Sequence, residues 1–264
     1  MQDMVDIERF ALADNEFRAA CREELERSGC VVLEGFLTPQ AVDSMCKEAR
    51  SNQQLAYYCV QEHNVYLTPQ DENYPHDHPR NRKLTSTKGC ITADQVAEDS
   101  VLRSLYDSPQ FRDFLCAVLG EDELYEYADP LSSINIHYAS EGQELAWHFD
   151  NSSFAITLLI QRPEAGGDFQ YIRGLRYTAN GDLNFEAVQQ VLDGEREPQD
   201  LAIYPGTLVL FRGKESIHRV TPVEGERTRM LAVLAYNSQP GIELSESARM
   251  TFFGRLGNEQ RKDP

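Results

Sequence analysis

The chain has 264 residues, 41% of them hydrophobic, which suffices for a true core in one large domain or two small ones. With 43 acidic against 25 basic residues the formal net charge is −18, a field that repels DNA, RNA and other polyanions, so no nucleic-acid partner is expected. No apolar run reaches the ~18 residues of a membrane span, and Met1 to Arg9, carrying Asp3, Asp6 and Glu8, lacks the basic-then-apolar order of a secretory signal, so a cytoplasmic location is the expectation.

Taken in chain order, Asn15 to Arg27 places Phe17, Ala20, Cys21 and Leu25 at helical spacing, and Gly29 closes that helix ahead of a short apolar strand, Cys30 to Leu33. Thr38-Pro39 supplies an N-cap and a first-turn proline for a second helix running toward Gln53. Tyr66 to Lys88, rich in Pro, Asn, Asp and His, shows no period and reads as a functional loop or lid, with the basic stretch Arg80-Asn81-Arg82-Lys83 inside it. Helical patterns return at Ser100 to Tyr106 and Pro109 to Leu119.

After Pro130 the pattern changes to short strands: Ser133 to Tyr138, Ala155 to Gln161, Asp168 to Arg173, Leu201 to Tyr204, Thr207 to Arg212 and Met230 to Tyr236, separated by turns such as Gly166-Gly167, Pro205-Gly206 and Glu224-Gly225. A helical pattern at Phe185 to Leu192 sits within an insertion of about 176–200. Helices first and strands later indicate an α+β fold with a sandwich or jelly-roll core. The expectation is one domain over 1–264: a mainly helical layer and lid over 1–130, and the β core over 131–264. Six scattered cysteines with no C-x-x-C pair carry no zinc or redox motif.

The chemistry centres on Trp147-His148-Phe149-Asp150. On extended chain the side chains of His148 and Asp150 fall on one side, so an imidazole and a carboxylate can share a metal ion. His218 stands 70 residues on, and Arg227 and Arg229 open the last apolar strand. Two histidines and one carboxylate on one face of an ion leave three sites open, the arrangement of non-haem iron(II) oxygenases.

H-x-D, a distal His and an Arg about ten residues later resemble the iron(II)/2-oxoglutarate dioxygenase superfamily. The likeness spans Asn135 to Asn237, and Gly29 to Glu48 is similar to the N-terminal segment of its phytanoyl- and prolyl-hydroxylase-like branches. Gly206 to Phe211 and His218 to Val223 are close to the superfamily pattern. Ile156-Thr157-Leu158-Leu159-Ile160-Gln161 followed by Gly166 to Tyr171 looks like a bacterial group of free-amino-acid radical hydroxylases and halogenases.

The resemblance implies a double-stranded β-helix (jelly roll) with N-terminal helices packed on it, Fe(II), 2-oxoglutarate as cosubstrate, and dioxygen. It implies His148, Asp150 and His218 as metal ligands and catalytic centre, with Arg229, or else Arg227, binding 2-oxoglutarate. Tyr138 and Thr157 are expected near the cosubstrate. Because a Gly or Ala replaces the carboxylate in halogenating members, Asp150 implies hydroxylation of a small polar metabolite such as a free amino acid or amine. Asn135, His137, Arg82 and Arg176 are candidate substrate contacts. Desaturation or cyclisation, hydroxylation of protein side chains, and a non-catalytic jelly-roll metal or ligand-binding protein are the alternatives.

Overall fold

Capping chemistry and strand alternation account for most of the element boundaries. The computed structural model describes residue 1 and residues 3–257; residue 2 and residues 258–264 of the expected 1–264 domain lie outside the described residues. The elements are α1 (Asn15–Ser28), β1 (Cys30–Leu33), α2 (Pro39–Asn52), β2 (Tyr57–His63), β3 (Leu84–Ile91), α3 (Val101–Tyr106), α4 (Pro109–Leu119), β4 (Ile134–Ala139), β5 (Leu145–His148) and β6 (Ala155–Gln161). There follow β7 (Ala165–Gly166), β8 (Phe169–Ile172), α5 (Phe185–Leu192), β9 (Gln199–Leu201), β10 (Leu208–Phe211), β11 (Ile217–Val220), β12 (Val223–Glu224), β13 (Arg229–Leu234) and α6 (Glu246–Phe253).

Helix α1 begins where the Asp14 carboxylate accepts the Phe17 N–H at 2.8 Å and ends at Gly29 with φ 79°, a left-handed stop that glycine adopts without strain. Helices α2 and α4 repeat one device: the hydroxyls of Thr38 and Ser108 cap the first turn, and Pro39 and Pro109 occupy the position where a missing N–H costs nothing.

Seven strands form the larger sheet in the order β1-β10-β6-β13-β4-β3-β2, and four form the smaller one, β5-β11-β8-β9, all antiparallel. This is the expected α+β jelly-roll layout. Side chains alternate across the larger sheet. Ile134, Ile136 and Tyr138 of β4, Ile156, Leu158 and Ile160 of β6, and Met230, Ala232 and Leu234 of β13 join the core that Leu25, Met45, Phe111 and Phe114 complete from the helices. Their odd-numbered neighbours face the smaller sheet. That alternation separates a dry structural face from a face available for chemistry.

Several elements differ from the sequence expectation. Besides the expected strand β1, the region before residue 130 carries β2 and β3, which extend the larger sheet at the edge opposite β1. Leu84 to Lys88, read as loop, lies in β3, where the alternating Thr85 and Thr87 suit a pleated edge and pair with β2. Strands β5 and β11 are only four residues long, and α6 was not anticipated.

Candidate active site

Strand register brings the histidines together. In the β11–β5 pair His218 lies directly opposite His148, and directly opposed residues project to the same face. Their rings are 4.2 Å apart between centroids. Asp150, two residues past His148, turns back so that its Oδ1 is 3.8 Å from His148 Nε2 and 3.5 Å from His218 Nε2. One donor atom from each of the three lies within 4.8 Å of the others, the spacing of groups around a single ion.

Each imidazole is oriented by its own backbone. His148 Nδ1 donates to the Ala146 carbonyl at 2.8 Å, and His218 Nδ1 donates to the Ser216 carbonyl at 2.9 Å. A carbonyl only accepts, so the proton is on Nδ1 and the Nε2 lone pair faces the cavity. Burial, reinforced by the neighbouring His218, holds His148 well below its ordinary titration range and hence neutral. For Asp150, burial pushes the carboxyl upward, but His218, His148 and Lys88 together outweigh it and keep the group ionised. Two imidazole nitrogens and a carboxylate are a donor set suited to a divalent first-row metal.

Gly213, a position the sequence did not flag, makes room for this arrangement. A Cβ there would stand 1.9 Å from Asp150 Oδ2 and 3.0 Å from His218 Cε1, so the carboxylate occupies the space a side chain would take. The Gly213 carbonyl also accepts the Asp150 N–H at 3.1 Å. Arg176 completes the support: Nη2 donates to the Asp150 carbonyl at 2.8 Å, Nε donates to the Lys214 carbonyl at 2.6 Å, and its guanidinium lies 4.6 Å from the Phe149 ring centroid.

The three donors line a cavity of about 260 Å³ between the two sheets, together with Lys88, His137, Thr157, Phe169 and Arg229. Arg229 is buried, its Nε donates to the Gly167 carbonyl at 3.0 Å, and it makes no salt bridge among the described residues. Burial draws its guanidinium down to about 10, with Asp168 opposing, so it remains cationic at neutral pH. Gly167 lets it pass: at φ +64° a Cβ would lie 3.0 Å from Arg229 Cδ and 2.9 Å from Pro163 Cγ. That contact accounts for the second glycine of Gly166-Gly167.

The other candidates separate cleanly. His137 and Thr157 face the cavity, and burial, with Lys88 and Arg229 nearby, keeps His137 neutral. Arg227 does not share the face of Arg229: it precedes β13, is exposed, and donates to the Pro163 carbonyl at 2.9 Å. Tyr138 is on the opposite face of β4, fully buried in the helical layer, its hydroxyl donating to the Ala49 carbonyl at 2.7 Å. Asn135 spends its amide on the Leu131 and Ile134 carbonyls at 3.0 and 2.9 Å. Arg82 pairs with Asp193 and the Leu192 carbonyl, tying the irregular loop to α5. Arg176, as above, braces Asp150 and the Lys214 loop. These five side chains have donors committed to protein partners, and none of them lines the cavity.

Compared with known proteins, residues 13–251 match the family HalD: Halogenase D. The chain belongs to that family. No curated protein matches it in sequence. Among solved structures, an oxidoreductase of the 2OG-Fe(II) oxygenase family from Burkholderia pseudomallei is 15% identical, with 86% of this chain and 93% of that chain covered at a TM-score of 0.51. A non-heme alpha ketoglutarate dependent carbocyclase from nogalamycin biosynthesis, SnoK, is 12% identical over 87% of this chain and 89% of its own, at 0.59. A prolyl-4-hydroxylase from Pseudomonas putida is 16% identical, covering 82% and 96%, at 0.50. At these identities the likeness is one of fold: the chain has the architecture of the 2-oxoglutarate/iron(II) oxygenases.

Proposed function

We propose that this chain is an iron(II)- and 2-oxoglutarate-dependent oxygenase that hydroxylates a C–H bond of a small polar metabolite. In this reading His148, Asp150 and His218 hold the metal, and Arg229 grips the distal carboxylate of the cosubstrate. The observation that carries it is the pairing, inside one cavity, of three converging donors with a buried arginine that makes no salt bridge among the described residues. An unpaired cation in an apolar interior is costly, and a ligand carboxylate that meets its forked donors removes that cost.

The donor set fits iron(II): two imidazole nitrogens and one carboxylate oxygen, all from one side. When bound, iron(II) supplies a site for the keto acid and dioxygen and the redox chemistry by which 2-oxoglutarate, dioxygen and R–H become succinate, carbon dioxide and R–OH. The chain's own contribution is positional. Ala146 and Ser216 hold the imidazole lone pairs toward the cavity, Gly213 leaves space for the Asp150 carboxylate, and Arg176 fixes its backbone. Phe169, Val209, Phe211 and Leu231 line the same cavity and exclude water from it. Asp150 supports hydroxylation over halogenation despite the family's name, because a third protein donor fills the place a halide would take.

The test is iron(II)-dependent conversion of 2-oxoglutarate to succinate. Replacing either His148 or Asp150 by Ala is expected to abolish it, and undiminished turnover in both variants rejects the assignment.

A further inference from the structure

Arg229 borders two cavities. Besides the donor cavity it lines a second one, of about 340 Å³. Exposed Arg162, Asp168, Asp200 and Tyr204 stand around the rim of this second cavity, and buried Gly167 and Arg229 lie at its floor. Only Phe169, Leu201, Ile203 and Arg229 line both cavities, so the partition between them is one guanidinium and three apolar side chains. The donor cavity itself runs from Arg229 along β13 to Ala235, a rise of about 20 Å, and meets the surface at that far end beside exposed Ser152.

The partition hangs on a short, lightly held segment. Strand β9 is three residues long, forms the edge of the smaller sheet and pairs only with β8, Leu201 opposite Phe169 and Asp200 opposite Gln170. Ala202, Ile203 and Tyr204 beyond it belong to no strand, and Pro205-Gly206 follows with Gly206 at φ +86°. Leu201 and Ile203 turn inward, while Ala202 and Tyr204 are exposed. From outside, the Arg162 guanidinium lies 5.2 Å from the Tyr204 ring centroid and latches the segment shut. Rim and floor together hold two arginines against two acids, and both acids are engaged: Asp168 is 3.9 Å from Arg162, and Asp200 accepts the Gln170 amide at 2.8 Å. On a chain of net charge −18 this is a locally neutral patch, where an approaching dianion is not turned away.

We propose that Leu201 to Tyr204 form a gate, and that the second cavity is the port through which 2-oxoglutarate enters and succinate leaves, separate from the opening beside Ser152. The proposal rests on the oxygenase reading above and adds a route to it. Arg229 holds the distal carboxylate in that reading, so the carboxylate that succinate keeps is the end nearest the port. Outward movement of Leu201 and Ile203 uncovers that end, and the acid departs without crossing the metal site. Cosubstrate exchange then does not depend on what occupies the far end of the donor cavity.

A gate changes entry and release by one common factor and leaves equilibrium affinity alone, whereas a binding residue changes affinity; the experiment uses that contrast. The probe is carbon-14-labelled 2-oxoglutarate on manganese(II)-loaded protein, its release followed by rapid filtration after a chase of unlabelled cosubstrate and its Kd by calorimetry. Gln170→Cys with Asp200→Cys puts two thiols on directly opposed residues, whose Cα separation of about 4.5–5.5 Å suits a disulfide. With that disulfide formed, release is expected to slow at least about tenfold while Kd stays within about twofold, and reductant should restore the rate. Tyr204→Ala should speed release about two- to fivefold, the worth of an exposed cation–π contact, again without a change in Kd. Ser152→Phe, at the other opening, should release cosubstrate at the wild-type rate. Release indifferent to both the disulfide and Tyr204→Ala, a changed Kd in place of a changed rate, or slowing by Ser152→Phe would each overturn the port. Protein that binds no 2-oxoglutarate sinks the oxygenase reading and the port with it; binding with release indifferent to the gate sinks the port alone.

Discussion

Gly213→Ala is the sharpest probe of the donor geometry. The added Cβ would stand 1.9 Å from Asp150 Oδ2, where ordinary contact begins at 3.4 Å, so the carboxylate must withdraw by the difference, roughly 1.5 Å. What moves is the end of a rotatable side chain, while the Asp150 N–H stays on the Gly213 carbonyl and its C=O stays on Arg176. The stability cost is therefore at the low end of overpacking, about 1 kcal/mol. The functional cost is much larger, because misplacing a reacting group by about 1 Å can lower turnover on the order of 100-fold. The assay is iron(II)-dependent succinate formation, with metal affinity and thermal unfolding measured on the same preparation. The expected result is a folded protein with a small loss of melting temperature and at least about 100-fold lower turnover. Gly213→Ala with unchanged turnover and unchanged iron requirement would refute the claim that Asp150 acts from this position.

Three further substitutions test neighbouring claims. Arg229→Gln should raise the KM for 2-oxoglutarate by about 100-fold or more, the scale of a buried charge pair worth about 3 kcal/mol, while Arg227→Gln, exposed and bonded only to the Pro163 carbonyl, should leave it near wild type; steady-state kinetics in 2-oxoglutarate decides between them. Tyr138→Phe removes one hydrogen bond to the Ala49 carbonyl, so denaturant unfolding should show a loss of about 1 kcal/mol with the KM for 2-oxoglutarate unchanged. Arg255 clasps Asp94 through Nη1 to Oδ2 at 2.7 Å and Nη2 to Oδ1 at 2.6 Å, just beyond α6. Burial pushes Asp94 upward, but the Arg255 and Thr92 contacts outweigh it and leave its carboxyl below the usual range. A depressed carboxyl stabilises the fold above its unfolded pKa of about 3.9 and loses that contribution as pH falls through the folded value. Arg255→Ala should therefore lower the melting temperature at pH 7, and the gap to wild type should narrow as pH falls below the ordinary carboxylate range; a gap independent of pH contradicts the ion pair.

What could be read from the sequence was what depends on near neighbours. Asp14, Thr38, Ser108 and the prolines after two of them marked helix starts because capping is decided within one turn. His148 and Asp150 were legible as a pair because strand geometry repeats every two residues. Facing direction over longer distances was not. Tyr138 stands one residue from His137, and that single step places it among the helices instead of the cavity, a matter of register set by β13 and β3. Arg227 and Arg229 share parity in sequence, but only Arg229 lies within a strand, so the rule that would align them does not apply. Lys88 was read as the end of the irregular lid segment; the alternating threonines at 85 and 87 were the signal that β3 had already begun. Gly213 gave no local sign, since its role is to make space for a side chain 63 residues earlier.

The cavity also reverses the charge of the chain that encloses it. Among the described residues lining the donor cavity, Lys88 and Arg229 are basic, each drawn down by burial, and Asp150 is the one acidic group, whereas the whole chain carries −18. The outer charges are screened over about 8 Å at physiological ionic strength, while interactions inside the apolar cavity are screened far less. A dicarboxylate that reaches the interior is therefore governed by the two cations and the metal, and not by the net charge of the surface. Both cations lie on the sheet face away from the hydrophobic core, Arg229 as an odd-numbered residue of β13 and Lys88 as an even-numbered residue of β3, where Gly89 is opposite Tyr138 and Cys90 opposite His137; that register keeps them away from the helical layer. The same alternation that builds the core thus concentrates positive charge where an anionic cosubstrate is needed.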